Sequence, residues 1–182
     1  MVTAVVQPVV TRAELLRRAL AARLVLTDCD GVLTDAGVYY ADSGETWRRF
    51  SVRDGMGVER LRAAGIATGI VTRERAASIE RRAAKLGLPH VYLGVQDKHA
   101  HLAQVLRDSG LSPAELAYIG DDLNDLGLLT TIGAHGLTAA PASAMPEVAV
   151  AVHYRCRLPG GHGAFREFAE WILALRRTRG ED

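Results

Sequence analysis

Residues 24 to 35 read LVLTDCDGVLTD, a short apolar run followed by aspartates at 28, 30 and 35 and a glycine at 31. An apolar run of this length, bounded by polar residues and glycine, is the pattern of a strand buried on both faces. Asp28 then stands at the carboxyl end of that strand, and Gly31 allows the backbone to turn sharply just beyond it. In an open parallel sheet, ligands bind beyond the carboxyl ends of the strands. What else reaches that edge therefore decides the chemistry.

Working outward, further strands are expected at 66–71 (IATGIV), 90–93 (HVYL), 117–120 (AYIG), more weakly near 136–139, and at 148–152; the first spans 24–28. A first helix falls at 12–22, on leucines and alanines at helical spacing, and others at 54–64, 74–86, 97–109 and 122–131, these four each bounded by Gly, Asp, Ser or Pro signals. This alternation predicts an α/β protein with a doubly wound parallel sheet. Residues 35 to 50 interrupt it: β-rich runs at 37–40 and 45–50 flank Ala-Asp-Ser-Gly, which predicts a β-hairpin projecting beside the mouth of the site. Near the end, FREFAEWILAL sets Phe165, Phe168, Ile172 and Leu175 on one helical face, a packing pattern. Residues 1 to 10 read as a loose lead-in and the terminal RRTRGED as a frayed tail.

With 182 residues, one domain with one sizeable core is expected. A formal charge of +1 supplies no general attraction to nucleic acid or to a membrane surface. No apolar run approaches the ~20 residues of a membrane-spanning helix, and the opening MVTAVVQPVV lacks the layout of a signal peptide. Cys29 and Cys156 stand in no metal-binding or disulfide pattern, which fits a reducing, cytoplasmic setting.

Several chemically able residues fall at strand ends. Asp28 and Asp30 follow the first strand, Thr72 the second, Lys98 opens the helix after the third, and Asp121 and Asp122 follow the fourth. Singly, each has an ordinary structural use as a cap, a strand end or a solvated charge. Together they converge on one sheet edge, where clustered carboxylates would resist ionisation unless a cation sat among them. An all-oxygen site suits Mg²⁺. The cation and Lys98 would screen a phosphate from the approaching Asp28 carboxylate. Thr72 would donate to a phosphoryl oxygen, and Asp30 could protonate a leaving oxygen and later deprotonate water.

DCDGVLTD, Thr72, Lys98 and GDDLND at 120–125 resemble the four motifs of the haloacid dehalogenase-like (HAD) phosphatases. The chain looks most like their small capless group, which contains 3-deoxy-D-manno-octulosonate 8-phosphate phosphatase and its nonulosonate 9-phosphate relatives. FSVRDGMGVERLRAAGI, AAKLGL, QDKHAHL, AYIGDDLNDL and GGHGAFREFAEWIL carry that likeness from residue 24 to 173. The resemblance implies a Rossmann-like core without a cap domain. It implies Asp28 as nucleophile, Asp30 as acid/base, and Mg²⁺ held by Asp28, Asp121 and the Asp30 carbonyl, with Asp122 and Asp125 around them.

It also implies a homotetramer in which hairpins pack centrally and a neighbouring subunit closes the pocket, with the GGHGAFRE segment and Arg166 near the substrate. For the substrate, Glu74 as the second residue after Thr72, with Lys85 and nearby Arg82, resembles the enzymes of nine-carbon acids such as KDN 9-phosphate. The octulosonate enzymes typically have Gly-Arg after the motif Thr or Ser. Arg73 departs from both patterns, and Arg53 matches a substrate-side basic position. A phospho-receiver domain has its acidic pair after the first strand, the wrong order for GDD here. A non-catalytic scaffold would not need the complete catalytic set.

Overall fold

The computed structural model describes residues 10 to 178. The chain runs α1 (Arg12–Ala21), β1 (Leu24–Thr27), β2 (Thr34–Ala41), β3 (Gly44–Phe50), α2 (Val52–Ala63), β4 (Ala67–Val71), α3 (Ala77–Leu86), β5 (His90–Tyr92), α4 (Lys98–Ser109), β6 (Leu116–Ile119), α5 (Leu126–Gly133), β7 (Leu137–Ala140), α6 (Pro146–Ala149), β8 (Tyr154–Arg155) and α7 (Ala164–Arg177). Six strands form one sheet in the order β5-β4-β1-β6-β7-β8, and every pairing in it is parallel. β2 and β3 form a separate antiparallel hairpin inserted directly after β1.

Why the strands read as continuous apolar runs is visible in the register. Leu24 pairs with Leu116 and Leu26 with Tyr118, and these four face the core shared with Leu102 and Val105 of α4 and Leu128 and Ile132 of α5. The alternate residues, Val25, Ala117 and Ile119, face the other core, with Leu61 of α2, Ile79 of α3 and Phe165, Phe168 and Ile172 of α7. Helices cover both faces, so both sides of the central strands are mostly apolar, with buried Thr27, Thr68 and Thr138 as exceptions. From central β1 the sheet continues to β4 and β5 on one side and to β6, β7 and β8 on the other. That reversal opens a crevice at the carboxyl end of β1, where Asp28 stands.

The predicted packing face of α7 is confirmed, and its first turn is held by a carboxylate from α2. Asp54 is buried and accepts from the N–H groups of Gly163 (3.2 Å) and Arg166 (3.0 Å). Burial raises its pKa, against the pull of those N–H bonds.

Several expectations are corrected. The alternating PEVAVAV does not form a strand at 148–152; Pro146 opens the short helix α6, and the edge strand β8 comes later. A strand would set Val148 and Val150 on one face, yet Val150 is exposed while Val148, Ala149 and Ala151 are buried. Proline suits a first helical turn because its missing N–H would be unpaired there anyway. The helix expected at 122–131 divides into a 3-10 turn at Leu123–Asp125 and α5. The helix expected at 74–86 starts only at Ala77. The frayed tail begins later than expected, because Arg176 of α7 donates to the carbonyls of Ala19 and Ala22, each at 3.0 Å. Of the expected lead-in, residues 1 to 9 lie outside the described residues, as do residues 179 to 182 of the tail.

Candidate active site

The loop after β1 is tied down before it reaches the crevice. The Asp28 N–H donates to the Ile119 carbonyl at 3.0 Å, continuing the β1–β6 ladder by one residue. The Cys29 N–H donates to Asp28 Oδ1 at 2.7 Å. Gly31 has φ +86°, and a Cβ on it would collide with the Asp121 carboxylate. Glycine is needed there both for the backbone and for space. Gly31→Ala is expected to destabilise the fold by more than about 1 kcal/mol and to weaken binding of divalent ions by displacing Asp121. Denaturant unfolding with and without Mg²⁺ checks both effects.

Lys98 is the first residue of α4, where a cation opposes the helix dipole. Asp97 caps that helix by accepting from the Ala100 N–H at 2.9 Å. The Lys98 side chain is buried, with Nζ 2.8 Å from Asp28 Oδ1 and 2.6 Å from Asp125 Oδ1. Asp125 is fully enclosed: Oδ1 also accepts from the Tyr118 hydroxyl, and Oδ2 accepts from the N–H groups of Asp121 (2.9 Å) and Asp122 (3.2 Å). Asp125 therefore shapes the GDDLND turn and neutralises Lys98 from below. Asp122 caps the 3-10 turn, accepting from the Leu123 N–H at 2.6 Å.

Asp28, Asp121 and Asp125 each offer an oxygen within 4.8 Å of the others. Three carboxylates thus face one ammonium. Burial, and then the charge of Asp125, push Asp28 well above the usual aspartate range against the pull of Lys98. Burial opposes the charge on Lys98, but Asp28 and Asp125 outweigh it and raise its pKa. Asp121 is pushed up to about 7 by burial and then by Asp125, and its Oδ1 is buried without a hydrogen-bond partner among the described residues. An unpartnered buried carboxylate oxygen beside Asp28 fits a hard divalent cation, whose charge would balance the group.

Asp121 thereby couples stability to pH. Its folded pKa lies above the unfolded one, so its contribution to stability is fully present below about pH 4 and is lost as pH rises through about 7. A bound divalent ion favours the ionised form. The gain in melting temperature on adding Mg²⁺ is therefore expected to be larger at pH 8 than at pH 5. Equal gains at both pH values would contradict the assignment.

Above these groups lies a cavity of about 440 Å³, lined by Asp28, Asp30, Thr72, Asp121 and Asp122, with Arg48, Arg73, Glu74, Gln96 and Asn124 farther around. Thr72 is buried and its Oγ1 accepts from the Glu74 N–H at 3.2 Å, which leaves its hydroxyl proton to donate. Asp30 Oδ1 accepts from Arg48 Nε at 2.8 Å and from Thr34 Oγ1 at 3.2 Å. The arrangement can attract a phosphate, present a carboxylate nucleophile to it, and offer a second carboxyl for proton transfer.

The remaining substrate-side residues singled out from the sequence do not line this cavity within the chain. Arg53 and Lys85 are exposed. Arg82 donates to the Ser51 carbonyl at 2.9 Å and lies over the Phe50 ring, and Arg166 pairs with Glu170 at 2.9 Å. The glycine-rich segment packs on this chain's own loop: the Gly161 N–H donates to the Val32 carbonyl at 2.9 Å, and a Cβ on Gly160 would strike the Gly31 carbonyl. Sequence reasoning missed Arg48. Its alternation with Trp47 and Arg49 was legible, but which hairpin face meets the cavity was not.

No protein-family model matches the chain. It is 38% identical over 160 residues to the 3-deoxy-D-manno-octulosonate 8-phosphate phosphatase of Yersinia pestis, covering 88% of this chain and 84% of that one. The Moraxella catarrhalis enzyme of that name, whose structure contains a magnesium ion, a phosphate ion and KDO, superposes with a TM-score of 0.83 at 32% identity, over 91% of this chain and 93% of that one. A HAD superfamily (subfamily III A) hydrolase from Legionella pneumophila gives a TM-score of 0.85 at 36% identity, over 92% and 91%. With that identity across nearly the whole described fold, the chain belongs to the 3-deoxy-D-manno-octulosonate 8-phosphate phosphatase family of the HAD superfamily, and it is a phosphatase.

Proposed function

We propose that the chain hydrolyses 3-deoxy-D-manno-octulosonate 8-phosphate with Mg²⁺ through a phosphoryl group carried on Asp28. The observation that carries this reading is the Asp28 carboxylate, held 2.8 Å from Lys98 on the floor of a cavity whose wall includes Asp30 and Thr72. The carboxylates of Asp28 and Asp121 and the Asp30 carbonyl would hold Mg²⁺, which when bound would neutralise charge on nucleophile and phosphate alike.

An Asp28 oxygen forms a bond to phosphorus as the ester oxygen departs, and Asp30 gives that oxygen its proton. The ionised Asp30 then takes a proton from the water that attacks phosphorus. Inorganic phosphate leaves, Asp28 is restored, and Asp30 is protonated again. Lys98 and the Thr72 hydroxyl stabilise the charge on the transferring group throughout.

The names of the relatives support the eight-carbon ester. The nine-carbon expectation draws on Glu74 and Lys85 as a pair, and of these only Glu74 lines the cavity in one chain, where it already pairs with Arg48 at 3.3 Å. Phosphate release from the eight-carbon 8-phosphate, a nine-carbon 9-phosphate and a simple sugar phosphate tests the choice. Preference for the first is expected; preference for the nine-carbon ester would reinstate Glu74 as its discriminator. Absence of release from all three would remove the proposal.

A tetramer built around the hairpins is supported by Tyr39, Tyr40 and Trp47, which stand 63%, 75% and 70% exposed. Aromatic surface of this kind is what an assembly interface buries. Trp47→Glu is expected to lower the mass seen by sedimentation; an unchanged mass would place any interface elsewhere.

A further inference from the structure

The hairpin sends one buried cation into the cavity. Trp47 faces outward, whereas the next side chain, Arg48, is only 1% exposed. Its guanidinium bridges two carboxylates from separate segments: Nε is 2.8 Å from Asp30 Oδ1 in the loop after β1, and Nη2 is 3.3 Å from Glu74 Oε2 in the loop after β4. A guanidinium presents its N–H groups in a rigid plane, so gripping it at one end fixes their direction at the other. The Thr34 hydroxyl donates to the same Asp30 oxygen at 3.2 Å. Two donors on Oδ1 set the rotation of the carboxyl group. Its other oxygen, Oδ2, is buried and without a hydrogen-bond partner among the described residues.

We propose that Arg48 is a positioning residue for proton transfer: anchored by Glu74, it holds Oδ1 of Asp30 and so fixes the rotation of the carboxyl group that exchanges a proton with the leaving oxygen. The proposal rests on the reading of Asp30 as the acid/base. Glu74 acts through Arg48, giving it a role distinct from contact with sugar hydroxyls. Proton transfer is sensitive to misplacement on the ångström scale, so a carboxyl group free to rotate would lose much of its use.

The choice of leaving group tests this. An alkoxide needs a proton to depart, whereas p-nitrophenolate departs without one. The quantity to read is kcat/KM, which covers only the steps up to loss of the leaving group. Arg48→Met is expected to lower kcat/KM for an alkyl ester without a carboxylate, such as glycerol phosphate, by roughly 10²-fold, and to leave p-nitrophenyl phosphate within about threefold. Arg48→Lys should recover part of the loss, because one N–H can still reach Asp30. Glu74→Gln should give a smaller loss of the same selectivity. In an Asp30→Asn background, adding Arg48→Met should cost nothing further on the alkyl ester, as expected of residues acting as one unit.

Equal losses on alkyl and aryl esters would make Arg48 a phosphate contact and overturn the proposal. A loss confined to the sugar acid ester would make it a contact for the substrate's carboxylate, with the same consequence. An Arg48→Met protein that does not fold transfers the comparison to Arg48→Lys and Glu74→Gln, where the same selectivity is required. Failure of the substrate reading is separate: it would appear in the unaltered protein as no preference for the sugar acid ester, with the alkyl-to-aryl comparison intact.

Discussion

Asp28→Asn is expected to lower phosphate release by at least about three orders of magnitude while leaving the fold in place. The amide keeps the shape of the side chain but cannot form the bond to phosphorus. Its effect on stability should be small or favourable, because the carboxylate it replaces is buried, repelled by Asp125 and Asp121, and already pushed well above its ordinary pKa. Lys98 keeps Asp125 as a partner at 2.6 Å. Activity and melting temperature measured on the same preparation check the contrast. Residual turnover near that of the unaltered chain would show that another group attacks phosphorus; a collapse of the melting temperature would show that the Asp28–Lys98 pair holds the fold.

Lys98→Met should instead lose both activity and stability. Methionine fills much of the same space but leaves Asp28 and Asp125 buried and facing each other without the ammonium between them. Breaking a buried, hydrogen-bonded ion pair by removing one partner costs about 3–5 kcal/mol. The deficit should be smaller in acid, where Asp28 is neutral in both proteins, and larger near pH 8. Urea unfolding at the two pH values reads the difference. A variant as stable as the parent at pH 8 would mean that the carboxylates find another counter-charge, and a variant retaining turnover would remove Lys98 from the chemistry.

The two residues differ in how visible they are from sequence. Asp28 follows an apolar run and precedes glycine, so strand, turn and edge can all be read from neighbours within a few positions. Lys98 was legible as the residue that opens the helix after the third strand, at the edge that collects Asp28; the structure sets it at the first position of α4, where an acidic residue would suit the dipole better. Such local contradictions often mark functional sites. Asp125 could be placed near the metal from its motif, but its bonds to Lys98, Tyr118 and two main-chain N–H groups depend on how β6, α4 and the GDDLND turn come together.

By itself, the sequence determined the alternation of buried strands and helices, the hairpin after the first strand, and the carboxyl-end edge that collects Asp28, Asp30, Thr72, Lys98 and Asp121. These rest on short-range periodicity and on the rule that parallel strands present their carboxyl ends to one crevice. Only the tertiary structure decided that PEVAVAV turns as a helix, that Asp54 of VRDG is buried while Arg53 is exposed, that glycines 160 and 161 pack on the chain's own loop, and that Arg48 enters the cavity between Asp30 and Glu74. Each depends on which face of an element meets another distant in sequence. Local periodicity contains the faces but not the partner, and long-range packing is what selects between them.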